Sequence, residues 1–133
     1  MKYIKLYENF DIISNKKEVV DFCEENLVSL IDDGFEVQVY ASESGLHIHI
    51  LLDDGFKWDD INDEFITFLL KLNNYYNISN NGEHIVFTER GIIDYFRYDD
   101  IIEDDMTKGL GGRINLDKLN SIGLLVTGKK ENL

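Results

Sequence analysis

The clearest hydrophobic pattern in the chain runs from Phe35 to Tyr76. Phe35, Val37, Val39 and Ala41 alternate with Glu36, Gln38 and Tyr40, the period-two signature of a half-buried strand. Leu46, Ile48, Ile50 and Leu52 alternate in the same way, and Ser42–Gly45 between the two runs is a short glycine-ended loop. Pairing Ala41 with Leu46 puts Val39 opposite Ile48 and Val37 opposite Ile50. In that register both apolar faces coincide, and a slip of one residue would turn one of them into water. After Asp53-Asp-Gly-Phe56, read as a turn, the period changes to 3.6. Trp58, Ile61, Phe65, Phe68, Leu69, Leu72 and Tyr76 form a wide helical stripe whose natural partner is the Val/Ile face of the hairpin. Asp59 or Asp60 is the expected N-cap, Asp63 and Glu64 sit near the positive helix end, and the helix is expected to stop near Asn73-Asn74.

The flanks extend the pattern. Val19, Phe22, Cys23, Leu27, Leu30 and Ile31 predict a helix from about Lys16 to Asp33, with Asn15 as N-cap, Glu18 completing a capping box and Gly34 as a left-handed terminator. Cys23 falls inside this stripe and reads as a small core residue, since nothing local would activate it as a nucleophile. Asp-Asp-Gly-Phe occurs at 32–35 and 53–56 in different contexts, so it marks two independent glycine turns. Asn81-Gly82 between Tyr75–Ser79 and Glu83–Thr88 predicts a second hairpin, with Ile78 opposite Ile85 and Tyr76 opposite Phe87. Beyond it, Gly91–Tyr98 fits strand or helix, Asp99–Asp105 a short helix, Lys108–Arg113 a flexible loop, Leu116, Leu119 and Ile122 a short helix, and Leu124–Thr127 a final strand. The expected fold is a single α+β domain over residues 1–133: a mainly antiparallel sheet of two or more hairpins, with two amphipathic helices packed on one face.

Composition changes what such a fold can do. Asp and Glu number 26 against 13 Lys and Arg, a net charge of −13. Direct binding to nucleic acid is disfavoured, because phosphate contacts need cations, and anionic membrane surfaces are disfavoured likewise. A basic protein surface would be attracted. The simplest alternative is that the charge only keeps the protein in solution. No apolar run approaches a membrane span and no signal-peptide pattern is present, and the lone Cys23 allows no internal disulfide, so a cytoplasmic location is expected.

The first residues, Met1-Lys-Tyr-Ile-Lys-Leu-Tyr-Glu-Asn-Phe10, fit an N-terminal helix turn or an edge strand. The Met-Lys start, the aromatic at the third position and the ending Glu8-Asn9-Phe10 resemble the short leader of small accessory proteins of tailed bacteriophages. In some phages such a leader directs proteins into the assembling head. The resemblance covers about ten residues, carries no catalytic group, and implies phage origin and the cytoplasm of a host cell.

Candidate chemistry is sparse. His47 and His49 project from one face of the second strand and could hold a metal if a carboxylate such as Glu36 joined them. They could also do acid–base work, although His47-Ile-His49, His49-Ile-Leu51 and His84-Ile-Val86 lack the hydroxyl residue of two-histidine phosphoesterases. Gly123–Lys130 fails as a phosphate loop because Lys130 replaces the hydroxyl residue, and Gly109–Gly112 lacks the strand–helix frame of a dinucleotide site. Asp60–Glu64 fails as a calcium loop because Phe65 stands where glycine must turn. The acids themselves are the stronger signal. Asp59, Asp60, Asp63 and Glu64 on the long helix, with Asp99, Asp100, Glu103 and Asp104 further on, are the candidate partner-binding residues. Carboxylates at phosphate-like spacing can imitate nucleic acid, and mimics of that kind occur among phage inhibitors of host defence. The expectation is a non-catalytic, acidic protein-binding module without cofactor, possessing no membrane or direct nucleic-acid partner. The alternative is a small enzyme or metal-binding domain using His47 and His49. Oligomeric state is not encoded in any visible pattern.

Overall fold

The computed structural model describes residues 12–78, 84–106 and 112–130, with side chains from Asn15 onward. Within them the chain is α+β, with a six-stranded antiparallel sheet and four helices. Helices α1 (Ile12–Asn26) and α2 (Val28–Asp32) lead into strand β1 (Glu36–Ser42). Strand β2 (Gly45–Phe56) and helix α3 (Trp58–Tyr75) follow, then strands β3 (Tyr76–Ile78), β4 (His84–Glu89) and β5 (Ile92–Arg97). Helix α4 (Tyr98–Ile102) and strand β6 (Leu119–Lys129) complete the order. The sheet runs β1-β2-β6-β4-β5, with β3 paired to β6 off this path. No helix of the described residues is long and apolar enough to cross a membrane.

The first hairpin has the register that its alternation demands: Ala41 opposite Leu46, Val39 opposite Ile48, Val37 opposite Ile50. Leu46, Ile48 and Ile50 continue across to Val126, Leu124 and Ile122 of β6, and Phe87 lies beyond Ile122 on β4. These side chains are buried in one cluster with Val19, Cys23 and Leu27 of α1 and with Trp58, Ile61, Phe65, Phe68, Leu69 and Leu72 of α3. Burial pushes the Cys23 thiol up to about 12, assisted by the neighbouring Glu24 charge, so this cysteine is an inert core residue at neutral pH. Gly34 terminates α2 in a left-handed turn (φ 101°). Its N–H donates to Ile31 O and that of Phe35 to Leu30 O, the paired bonds of a glycine-terminated helix.

Several expectations are overturned. The first helix starts earlier than Lys16, at Ile12, and breaks at Leu27 into α1 and α2. Asn15 lies inside it, and Glu18 is engaged with Lys129 at 2.9 Å rather than with a capping box. The N-cap of α3 is Lys57, not Asp59 or Asp60, with no side-chain cap; the Trp58 N–H instead donates to Leu116 O at 2.8 Å. A carbonyl from the segment before β6 does the work that a capping aspartate does elsewhere. Asp53–Gly55 is not a turn between strand and helix. It lies within β2 as an irregularity between Leu51 and Phe56.

The second hairpin is also reassigned. Ile78 pairs with Val126 and Tyr76 with Lys129, not with Ile85 and Phe87. The reason is the last strand. Leu119, Ile122, Leu124 and Val126 form one 11-residue strand, with no helix in it, and this strand is the middle of the sheet. It binds β2 along one side and β3 and β4 along the other, so β4 finds its hairpin partner in β5. Arg90 (φ 48°) and Gly91 (φ 86°) supply the two left-handed residues of that tight turn. The leader-like residues 1–10, the Asn81-Gly82 pair and most of Lys108–Arg113 lie outside the described residues.

Candidate functional site

Alternation along the strands gives the sheet a second face, lined by residues that are exposed or half-buried. It carries Tyr40 of β1, His47 and His49 of β2, and Val86 and His84 of β4. All three histidines of the chain are therefore on one face, although His84 is remote in sequence. The strand that unites them is β6, whose Gly123 lies between His49 and Val86. A Cβ at Gly123 would stand 3.3 Å from His49 Cε1, so the imidazole lies against the bare backbone.

The two hairpin histidines are held by hydroxyls. Tyr40 stacks on His47 at 4.9 Å and on His49 at 5.2 Å between ring centroids. Its hydroxyl is 3.0 Å from His49 Nε2, and Ser42 Oγ is 2.8 Å from His47 Nε2. Ser42 Oγ also accepts the Ser44 N–H at 3.1 Å, so it fastens the β1–β2 turn. Glu36, the carboxylate that could have completed a metal site, accepts from Gln38 Nε2 at 2.9 Å. Among the described residues no three His, Cys, Asp or Glu side chains converge on a metal-sized space. Partial burial, with the charge of His47 as a smaller cause, holds His49 below its ordinary value of 6.5.

That depression makes a pH prediction. The native state resists protonating His49, so the unfolded chain binds more protons as pH falls. The stabilising contribution is fully present above pH 6.5 and is lost as pH drops through the lower native value. Chemical denaturation at pH 7.5 and pH 5 should show a larger loss of stability in the parent than in His49→Gln, on the ordinary imidazole scale of about 6.5. Equal losses in both proteins would remove His49 from the pH response.

The candidate acids fall on two elements. Asp59, Asp60 and Asp63 are exposed on the first turns of α3, with Glu64 half-buried beside them. Asp59, Asp60 and Asp63 lie on the side of the helix away from the Trp58–Leu72 stripe, and Glu64 flanks it. Among the described residues none of the four belongs to an ion pair. Asp60 differs in that it borders a cleft of about 360 Å³ of mixed charge, lined also by Lys57, Arg90 and Lys118 and by Asp54 and Asp117. The second group lies on and after the short α4. Asp99, Glu103 and Asp104 are exposed, whereas Asp100 is half-buried and its Oδ2 has no hydrogen-bond partner among the described residues. The structure thus aligns the α3 group along one rigid helix and leaves the α4 group on a separate element.

No family model, curated protein or solved structure matches the chain. Its functional reading therefore rests on its own residues.

Two further arrangements lie outside the sequence-predicted sites. Asp94 is 2% exposed, on the core side of β5, and accepts three backbone N–H groups, from Tyr95 (3.1 Å), Gly112 (2.6 Å) and Arg113 (3.0 Å). Arg113 completes the clamp through Nη2 to Ile93 O at 2.9 Å. The other is the junction of α1 with the sheet. The Lys129 ammonium, more than offsetting burial, holds the Glu18 carboxyl below its ordinary range, with the Tyr76 hydroxyl contributing in the same direction. Burial raises the Tyr76 hydroxyl, and its bond to Glu18 adds to the rise. Only the inside-out order Ile92-Ile-Asp-Tyr-Phe96 hinted at the first, because it places a carboxylate in phase with Phe96.

Proposed function

We propose that this protein is a non-catalytic, acidic binding module that engages a basic surface on another protein, in the manner of a tailed-phage accessory protein acting on a host defence or nucleic-acid-binding protein in the host cytoplasm. The observation that carries the reading is the row Asp59, Asp60, Asp63 and Glu64 on α3. Its opposite side, Trp58 to Leu72, is locked in the core, so the carboxylates are displayed on a rigid element without partners of their own among the described residues. Like charges at i,i+4 are unfavourable within a helix by a few tenths of a kcal/mol each. A cationic partner would remove that repulsion. In the same reading α1 and α3 cover one face of the sheet and leave the histidine face as a second, less acidic surface.

Immobilised protein exposed to bacterial lysate should retain a basic protein at low ionic strength and release it at high ionic strength, since exposed charge pairs are screened beyond about 8–10 Å at physiological salt. Retention of neutral or acidic proteins only, or retention indifferent to salt, contradicts the proposal.

A further inference from the structure

A second feature, away from the start of α3, has the composition of a site for an organic cation. A cleft of about 610 Å³ opens between α1 and the C-terminal end of α3. On α1 the residues facing it are Glu18, Asp21, Phe22 and Glu25, spaced so that they share one side of the helix. The opposite wall is Tyr75 and Tyr76. Phe22 meets Tyr75 edge-on at 6.0 Å and the buried Tyr76 edge-on at 6.2 Å, so Phe22 and Tyr75 present an aromatic corner that Tyr76 backs from the core. Tyr75 is 54% exposed, an unusual position for a large ring at a helix end.

The carboxylates are not equivalent. Glu18 is committed to Lys129 at 2.9 Å and anchors the corner. Asp21 touches Lys17 at 3.0 Å, but both side chains are largely exposed and such a pair exchanges readily. Glu25 has no ion-pair partner among the described residues. Lys71, the one cation of the cleft wall among the described residues, reaches towards Asn26 Oδ1 at 3.5 Å. What remains is an aromatic corner with two available carboxylates on its rim. A planar guanidinium satisfies both, stacking on rings while its N–H groups bond carboxylate oxygens, which a compact ammonium does less well.

We propose that this cleft receives an arginine side chain of the basic partner, an inference that rests on the proposed function for the partner's identity and on the cleft alone for its chemistry. The test uses a small probe. N-acetyl-arginine amide, titrated into isotopically labelled protein, should give saturable NMR shifts at Phe22, Glu25 and Tyr75. N-acetyl-citrulline amide, equal in length and uncharged, should give none. Glu25→Gln and Tyr75→Ala should each weaken the arginine probe about three- to five-fold, the range of exposed cation–π and charge contacts. Both sites are exposed, and an unchanged far-ultraviolet spectrum verifies that these variants fold. Equal shifts from the citrulline probe, shifts centred elsewhere, no saturation, or no weakening in either variant overturns the assignment; a lysine probe binding as tightly overturns the preference for guanidinium. Reversing the charges of Asp59, Asp60, Asp63 and Glu64 should leave probe binding in the cleft intact. If that reversal also leaves partner binding intact, the α3 reading fails while the cleft stands.

Discussion

Gly45→Ala should destabilise the protein by at least about 3 kcal/mol, a loss of roughly 10 °C in Tm for a chain of this size. Gly45 opens β2 with φ 145°, and a Cβ built there would lie 2.1 Å from Val126 O and 3.2 Å from Thr127 Cα. Those atoms belong to β6, the middle strand, so relief requires moving backbone rather than rotating a side chain. The movement would separate Leu46 from Val126, a fully buried pair at the end of the β2–β6 ladder. Gly91→Ala provides the comparison. Its φ of 86° is also unfavourable for alanine, though nearer the left-handed well, and no atom of the described residues lies within 4 Å of the added carbon. That variant should cost only about 1 kcal/mol, the backbone strain alone. Thermal unfolding of the two variants side by side measures the difference. Similar losses in both would mean that the β2–β6 contact is looser than described.

Asp94→Ala should cost about 2–3 kcal/mol, because it strands the donors that one carboxylate now satisfies. Gly112 and Arg113 are exposed and regain water when released, which keeps the loss below the sum of three bonds; Tyr95 N–H and the vacated core position account for the rest. The clamp joins β5 to the segment entering β6, so its loss should also raise amide exchange at Gly112 and Arg113 by more than that of the β1–β2 hairpin. Asp32→Ala, on an exposed helix terminus, should change stability by less than about 0.5 kcal/mol. If Asp94→Ala matches it, the buried carboxylate is not a clamp.

What the sequence revealed follows from how local each signal is. The first hairpin was legible to the residue because two alternating runs with a short loop admit one register that buries both faces. The stripe of α3 was legible because six of its seven positions from Trp58 to Leu72 and Tyr76 lie on one side of a single long helix. The position of β6 was not. Leu116, Leu119 and Ile122 have helical spacing by coincidence, and what makes Leu119–Lys129 a strand is the pair of neighbours it finds far away in sequence, β2 and β4. Asn81-Gly82 misdirected the second hairpin for the same reason, since the Arg90-Gly91 turn competes for β4 and wins with a full six-residue ladder to β5.

The site was legible in part. The acids of α3 and the shared face of His47 and His49 follow from helical and strand periods. The arrival of His84 on that face, the placing of Asp60 in a mixed-charge cleft and the cleft between α1 and Tyr75 all depend on packing between distant segments. The hydroxyl partners of the histidines, Tyr40 and Ser42, come from the opposite strand and depend on its register.

The most direct test of the proposed function is the affinity of the captured basic partner for the parent and for a variant with Asp59, Asp60, Asp63 and Glu64 replaced by lysine, measured across a range of salt concentrations. The replaced side chains lie on the side of α3 away from its buried stripe, and circular dichroism confirms folding before binding is compared. The predicted result is at least about a tenfold loss of affinity at low salt together with a shallower salt dependence, as removal of complementary charge requires. Equal affinity and an unchanged salt dependence would contradict the assignment of α3 as the binding surface.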